Sequence, residues 1–386
     1  MEQWYYKQIA PRAKSSGQPT APSIFRLSLL LFFLSRLYFL FIALLSSYFI
    51  RTEPGYLGVQ VSRGEPLWAW VWANMDGRHF INIATLGYTG TNFAYFPLYP
   101  LLINLVTRAG LTPILSGIFI SITATTLSAF YLLRLIALDK LKISKFETLL
   151  LFFFFPFGFI LNSVYADALF LFLTTASFYY ARKGKWLTSG VFALFASLTR
   201  LSGLALLPAL IIEWWLQKKP FKKAMIASTL SLAGFVTYSA LLQITQGNWR
   251  LFQSSMSAWK QDKFVLLPQV FFRYLKILIS VSPNTLVYWV AVLELISFIL
   301  YFLLAVYVFR KIRASYGVFM MVLLVLVSFT GTFAGTPRYL IHLFPAFIGL
   351  ALLLKNYPWF RLIYYPVTIV LGVLITAFFV QGYFVG

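Results

Sequence analysis

Long apolar runs, beginning at residues 24–50 and recurring as far as residue 380, dominate what this chain can fold into. Crossing a hydrocarbon core of about 30 Å as a helix takes roughly 20 apolar residues. Further runs cover about 113–138, 147–162, 164–181, 186–200, 201–217, 224–244, 284–309, 315–333, 338–354 and 361–380, which predicts roughly eleven spans. The composition agrees, with 60% hydrophobic residues, 11% charged residues and a mean hydropathy of +0.80 over 386 residues. Soluble domains carry about 25% charged residues, and a single aqueous core stops growing below this size. A large soluble enzyme and a disordered chain are both excluded. The expected fold class is an all-α polytopic membrane protein.

Lys and Arg number 32 against 10 Asp and Glu, a formal charge of +22. In a soluble protein that surplus would point to nucleic acid. Between apolar runs it marks cytoplasmic loops, where basic residues set orientation and meet anionic lipid, so the bilayer is the expected partner and nucleic acid is not. Residues 1–23 read as a cytoplasmic polar tail, with Lys7, Arg12 and Lys14 followed by Arg26, and 24–386 as one integral-membrane domain. The clusters Lys140/Lys142/Lys145, Arg182/Lys183/Lys185, Lys218/Lys219/Lys222/Lys223 and Arg310/Lys311/Arg313 share that side on one condition. Segment 96–108 must lie in the outer interface as a juxtamembrane helix, which its two prolines and short length favour. Two outer loops then result, 51–112 and 245–283, the second placing Trp249, Trp259, Phe271 and Phe272 among Arg250, Lys260, Lys263, Arg273 and Lys276.

The chain has no Cys, which removes disulfides, thiolate nucleophiles and thiolate-bound metals; His79 and His342 are too few for a His-built centre. No metal and no cofactor are expected. The lack of Cys and the compact loops fit a prokaryotic cytoplasmic membrane. Walker, Rossmann, HExxH and GxSxG patterns are missing as well, so nucleotide-driven transport and serine hydrolysis lack their usual signals.

Acidic groups are costly near a bilayer, so each can be weighed in turn. Glu2, Asp139 and Glu147 belong to solvated termini or cytoplasmic loops, and Glu53 and Glu65 to a Gly/Pro-bearing outer loop. Glu213 lies near Lys218 and Lys219 and is expected to pair or snorkel; Glu294 falls within a span and faces the interior or a partner; Asp262 reads as a surface charge. Asp76 differs, because it opens the polar and aromatic run Met75 to Tyr88 just before a membrane-lying segment. A wet carboxylate there suits general-base work on a hydroxyl nucleophile, the alternative being a simple Asp-Gly turn. His79 shares its face if the run is helical and either orients the base or binds substrate, or is an interfacial His. Asp167 begins a span, where a carboxylate also stabilises a helix start. Arg200 and Arg338 stand at breaks between apolar runs. Their guanidinium forks match phosphate oxygens, although each is also placed to snorkel.

The segment WANMDGRHFINIATLGYTGTNFAYFPLYPLL (Trp72 to Leu102) resembles the pattern of the GPI mannosyltransferase 2 family and its prokaryotic relatives. Matches are Asp76, His79, Phe80, Ile83, Ala84, Gly87, Tyr88, Phe93, Phe96, Pro97 and Pro100. Downstream, SVYADALFLFL, SLTRLSGLALLPAL and PRYLIHLFPAF are similar to three later segments of that family. Met75 stands where the family usually has Trp, Thr89 to Thr91 lack its Glu, and Asp167 replaces its Glu. The resemblance implies a GT-C-like bundle with outer juxtamembrane helices and a lipid-phosphate sugar donor used with inversion. It puts Asp76 at the catalytic position, Asp167 at the second acidic position and Arg200 and Arg338 at the two basic positions; His79, Tyr88, Asp167, Arg200 and Arg338 are the expected substrate-binding residues.

The expectation is therefore a membrane glycosyltransferase moving a hexose, mannose by the resemblance, from a polyprenyl-phosphate sugar to an acceptor hydroxyl on the outer face. The competing class is a transporter or flippase for lipid-linked saccharides. Those proteins too would use aromatic residues and buried Arg.

Overall fold

The computed structural model describes residues 21–53, 66–218 and 221–385. Residues 1–20 of the expected tail lie outside them, as do Glu65 of the first loop and Lys219 of the third basic cluster. Every regular element among the described residues is helical. The longer helices are α1 (Ala21–Phe49), α2 (Asp76–Leu86), α3 (Leu98–Arg108), α4 (Pro113–Leu138), α5 (Lys145–Phe153), α6 (Asp167–Arg182) and α7 (Trp186–Thr199). They continue with α8 (Leu206–Gln217), α9 (Phe221–Gln246), α10 (Leu267–Ser280), α11 (Leu286–Lys311), α12 (Ala314–Ser328), α13 (Phe344–Asn356) and α14 (Arg361–Val380).

Among the described residues, 5 helices are long and apolar enough to cross a bilayer singly, and up to 6 if Thr336–His342 and Phe344–Asn356, bent by 91°, count as one span. Trp186–Thr199, Leu201–Gln217 and Ala314–Ser328 are shorter apolar helices. The run at 147–162 is not one helix: α5 stops at Phe153, and the chain passes Pro156 before the short turn Gly158–Asn162. Backbone freed at such depth needs a partner, because lipid offers none. Arg36 of α1 supplies it, turning its guanidinium onto the Asn162 side chain and the Gly158 carbonyl. Segment 96–108 forms α3, whose 11 residues reach only ~16 Å. It buries Tyr99 and Ile103 and leaves Leu101 and Leu105 exposed.

Helix α7 packs against α9 and α6, α4 against α6, and α11 against α12. Without a hydrophobic force between helices in lipid, close backbone approach has to supply the attraction. Gly190 and Gly234 allow it, since a Cβ at Gly190 would sit 2.8 Å from Ala227 Cα and one at Gly234 2.4 Å from the Leu194 carbonyl oxygen.

One end of the bundle is tied by charge. Arg182, closing α6, bonds Asp139 beyond α4 and reaches Glu213 of α8 at 3.5 Å. Glu213 is fully buried and accepts from Arg313 at 2.6 and 2.8 Å and from Ser315 at 2.7 Å. The basic clusters after α4, α6, α8 and α11 therefore lie together, as the charge pattern predicts. Glu213 differs from the expected pairing with Lys218 and Lys219: buried in apolar surroundings, it takes the forked guanidinium. Asp167 starts α6 and Arg182 ends it, so Asp167 lies ~22 Å away at the other end.

Candidate functional site

Asp76 is the first residue of α2, placed there by a tight turn in which the Gly77 amide donates to the Asn74 carbonyl at 3.2 Å. Met75 takes φ 53 and ψ −112 in that turn, a conformation costly for any residue with a Cβ. The turn is held from several sides. Asn74 Nδ2 donates to the Phe379 carbonyl at 2.7 Å, the Tyr165 hydroxyl to the Asn74 carbonyl at 2.9 Å, and the Val164 amide to the Trp72 carbonyl at 2.8 Å. Over-determination of this kind lets a strained residue persist, and here it fixes where the next side chain points.

Arg200 caps the end of α7 in an extended conformation, φ −155 and ψ 146, so its side chain leaves the helix axis. Arg338 and His342 lie one helical turn apart on the short arm of the bend before α13. Asp167 opens α6 beneath them and is fully buried.

These residues form one network. Arg338 Nη1 donates to Asp76 Oδ2 at 3.2 Å, while its Nε lies 3.3 Å from Asp167 Oδ1. Arg200 Nη1 donates to Asp167 Oδ2 at 3.0 Å, and His342 Nε2 meets Asp167 Oδ1 at 2.9 Å. Two carboxylates thus face two guanidiniums, and the charges of those four groups balance. The Tyr95 hydroxyl donates to the free side of Asp76, Oδ1, at 3.2 Å. Burial first, and the Asp76 carboxylate second, hold the Tyr95 phenol well above its ordinary range, so it remains a donor.

A cavity of about 280 Å³ opens on this network, lined by Asp76, Tyr95, Arg200, Arg338, Tyr339 and Trp259 on its polar and aromatic side. Phe157, Phe159, Ile160, Leu326 and Phe379 form an apolar wall. Asp76, Arg200 and Arg338 therefore share one cavity. Asp167 lies behind it and touches both arginines. His79 stands one layer back, stacked on Tyr95 at 4.9 Å with its Nδ1 2.7 Å from Asn92 Oδ1, and makes no bond to Asp76. Tyr88 is further still: it stacks on Phe93 and donates to the Tyr95 carbonyl at 2.9 Å, which braces the loop carrying Tyr95.

Tyr95, Trp259 and His342 are members that the sequence reading did not single out as site residues. His342 stands four residues after Arg338, the spacing that places two side chains on one helical face. That was the available signal for it. Trp259 comes from the second long loop and meets Tyr95 edge-on at 6.0 Å, a contact that no local pattern announces.

Helices that cross a membrane, with a carboxylate and guanidinium cavity at one end of the bundle, define an integral membrane protein built for polar chemistry at the membrane boundary. More particularly, the chain belongs to the Mannosyltransferase (PIG-V) family, whose family model matches residues 24–245. No curated protein matches the chain. It is thus a membrane glycosyltransferase of mannosyl transfer, working with a lipid-linked sugar donor. The matched stretch holds Asp76, Asp167 and Arg200, while Arg338, His342 and Trp259 fold into the cluster from beyond it.

Proposed function

We propose that this enzyme transfers mannose from a polyprenyl-phosphate carrier to an acceptor hydroxyl on the outer face of a prokaryotic cytoplasmic membrane, with inversion and with Asp76 as general base. The observation that carries this reading is that Asp76, Arg200 and Arg338 line one cavity, with Arg338 Nη1 3.2 Å from Asp76 Oδ2. The carrier enters laterally along the apolar wall, and its phosphate meets the two guanidiniums. An acceptor oxygen attacks the anomeric carbon and its proton passes to Asp76. The bond from that carbon to the phosphate oxygen breaks with its electron pair remaining on the phosphate. Donors already aimed at this oxygen stabilise the departing charge without reorganisation. Arg338 exchanges its bond to Asp76 for one to phosphate, which frees the Asp76 oxygen for the acceptor. Tyr95 keeps Asp76 oriented, with His79 and Tyr88 supporting it.

The charge pattern supports the outer placement, because the site lies at the end of the bundle away from the basic clusters. Membranes carrying the chain, given labelled polyprenyl-phosphate mannose and a panel of acceptors, test the reading. Asp76→Asn in folded protein is expected to lower transfer by ~10²–10⁴. Retained transfer in that variant would remove Asp76 as base. Movement of the lipid-linked sugar across vesicles without bond formation would replace the enzyme by a transporter.

A further inference from the structure

We infer that His342 is a positioning residue that keeps Arg338 available for the donor phosphate by occupying the carboxylate oxygen Arg338 would otherwise seize. The inference rests on the reading in which the two arginines receive that phosphate. His342 is fully buried, stacked on Tyr339 at 5.3 Å and set edge-on to Phe170 at 5.1 Å, so its ring cannot swing. Its Nε2 faces Asp167 Oδ1 at 2.9 Å. A carboxylate accepts, so Nε2 carries the hydrogen, and Nδ1 is left without a hydrogen-bond partner among the described residues.

The same oxygen, Asp167 Oδ1, lies 3.3 Å from Arg338 Nε. That nitrogen is buried and also makes no hydrogen bond of its own among the described residues. Guanidinium and carboxylate prefer to pair through two parallel bonds. Arg338 makes no such pair: His342 stands on the Asp167 oxygen nearest to it, and Arg200 on the other. The guanidinium is instead divided, one bond to Asp76 and a loose approach to Asp167. A cation held by single contacts exchanges one of them for a phosphate oxygen at lower cost than one locked in a fork. Arg200, on the other oxygen of Asp167, is held at 3.0 Å and anchors the carboxylate from its opposite side.

Deleting the imidazole donor should let Arg338 close onto Asp167 and withdraw from the cavity. The experiment compares His342→Phe, which keeps an aromatic ring but has no donor, with His342→Gln, whose amide still donates. Donor KM, kcat and inhibition by free polyprenyl phosphate are measured on the full chain in membranes. The Phe variant should raise donor KM and the inhibition constant about tenfold or more, the loss of one charge-assisted hydrogen bond, and lower kcat as well, because Arg338 also stabilises the departing phosphate. The Gln variant should stay near the parent. Should the Phe variant fail to fold, His342→Met deletes the donor with a flexible side chain and carries the same comparison. Unchanged donor KM and inhibition in a folded donor-less variant would overturn the inference, as would an equal fall of kcat alone in the Phe and Gln variants. Failure of the underlying reading is separately visible, because Arg200→Gln and Arg338→Gln would then leave donor KM and inhibition by free polyprenyl phosphate unchanged whatever the His342 variants do.

Discussion

Replacing Asp167 by Asn probes the charge balance of the site while barely changing its volume. The fully buried carboxylate faces Arg200 at 3.0 Å, Arg338 at 3.3 Å and His342 at 2.9 Å. An amide has one accepting oxygen, and its NH2 group would point a donor at one of these donors. Each charge pair at such range is worth about 4 kcal/mol at an effective dielectric of 20. Relief of the carboxylate's desolvation offsets part of this, and removing one partner of a buried pair costs about 3–5 kcal/mol. An unfolding entropy scaled from globular proteins to 386 residues, about 0.8 kcal/mol/K, turns that into a melting-temperature fall of about 4–6 °C. Thermal unfolding of the detergent-solubilised chain reads the shift, alongside Asp167→Glu, which keeps the charge. Combining Asp167→Asn with Arg200→Gln should cost less than the two single changes added, by about 0.5–3 kcal/mol, because the second removes a cation that the first leaves unpaired. An Asn variant melting with the parent, or strictly additive changes, would refute the coupling.

At the opposite end, Glu213→Leu leaves Arg313 without its forked partner and should lower stability by about 3–5 kcal/mol with donor KM unchanged, read by thermal unfolding beside a kinetic assay. Gly117→Ala would drive a methyl to 2.6 Å from Val164 Cγ1, immediately before the Tyr165–Asp167 stretch. It should cost about 1–3 kcal/mol and be largely rescued by Val164→Ala; absence of rescue in the melting curve would show the clash is relieved elsewhere. Met75→Ile sets a β-branched residue at φ 53 and should destabilise by about 1–3 kcal/mol, whereas Met75→Gly, free at that φ, should be close to neutral by the same measurement.

Hydropathy made the helical membrane fold legible, because lipid admits few other ways to satisfy a backbone. It could not tell a crossing from a broken segment at 147–162, since Pro156 and Gly158 interrupt the helix without changing how apolar the run is. Asp76, Arg200 and Arg338 stood out because charge is rare in such a chain, and the fold brings all three to one cavity. The side chains that hold them in register were not legible in the same way. Asp167 reads in sequence as a helix-start carboxylate and, by the family resemblance, as a substrate-binding residue, but its place between two arginines depends on helices far apart along the chain. Glu213 likewise reads as pairing or snorkelling beside its lysines, while the guanidinium that forks onto it, Arg313, is 100 residues away.

The bond between Asp76 and Arg338 joins positions 262 residues apart, and the second of them follows α12. During synthesis, the early carboxylates enter the membrane long before the late guanidinium emerges. A stalled or clipped product ending ahead of residue 338 would leave Asp76 without its guanidinium partner and have no assembled reaction centre. Such fragments would be inert toward sugar carriers, so the chain becomes competent only when its last third has been made.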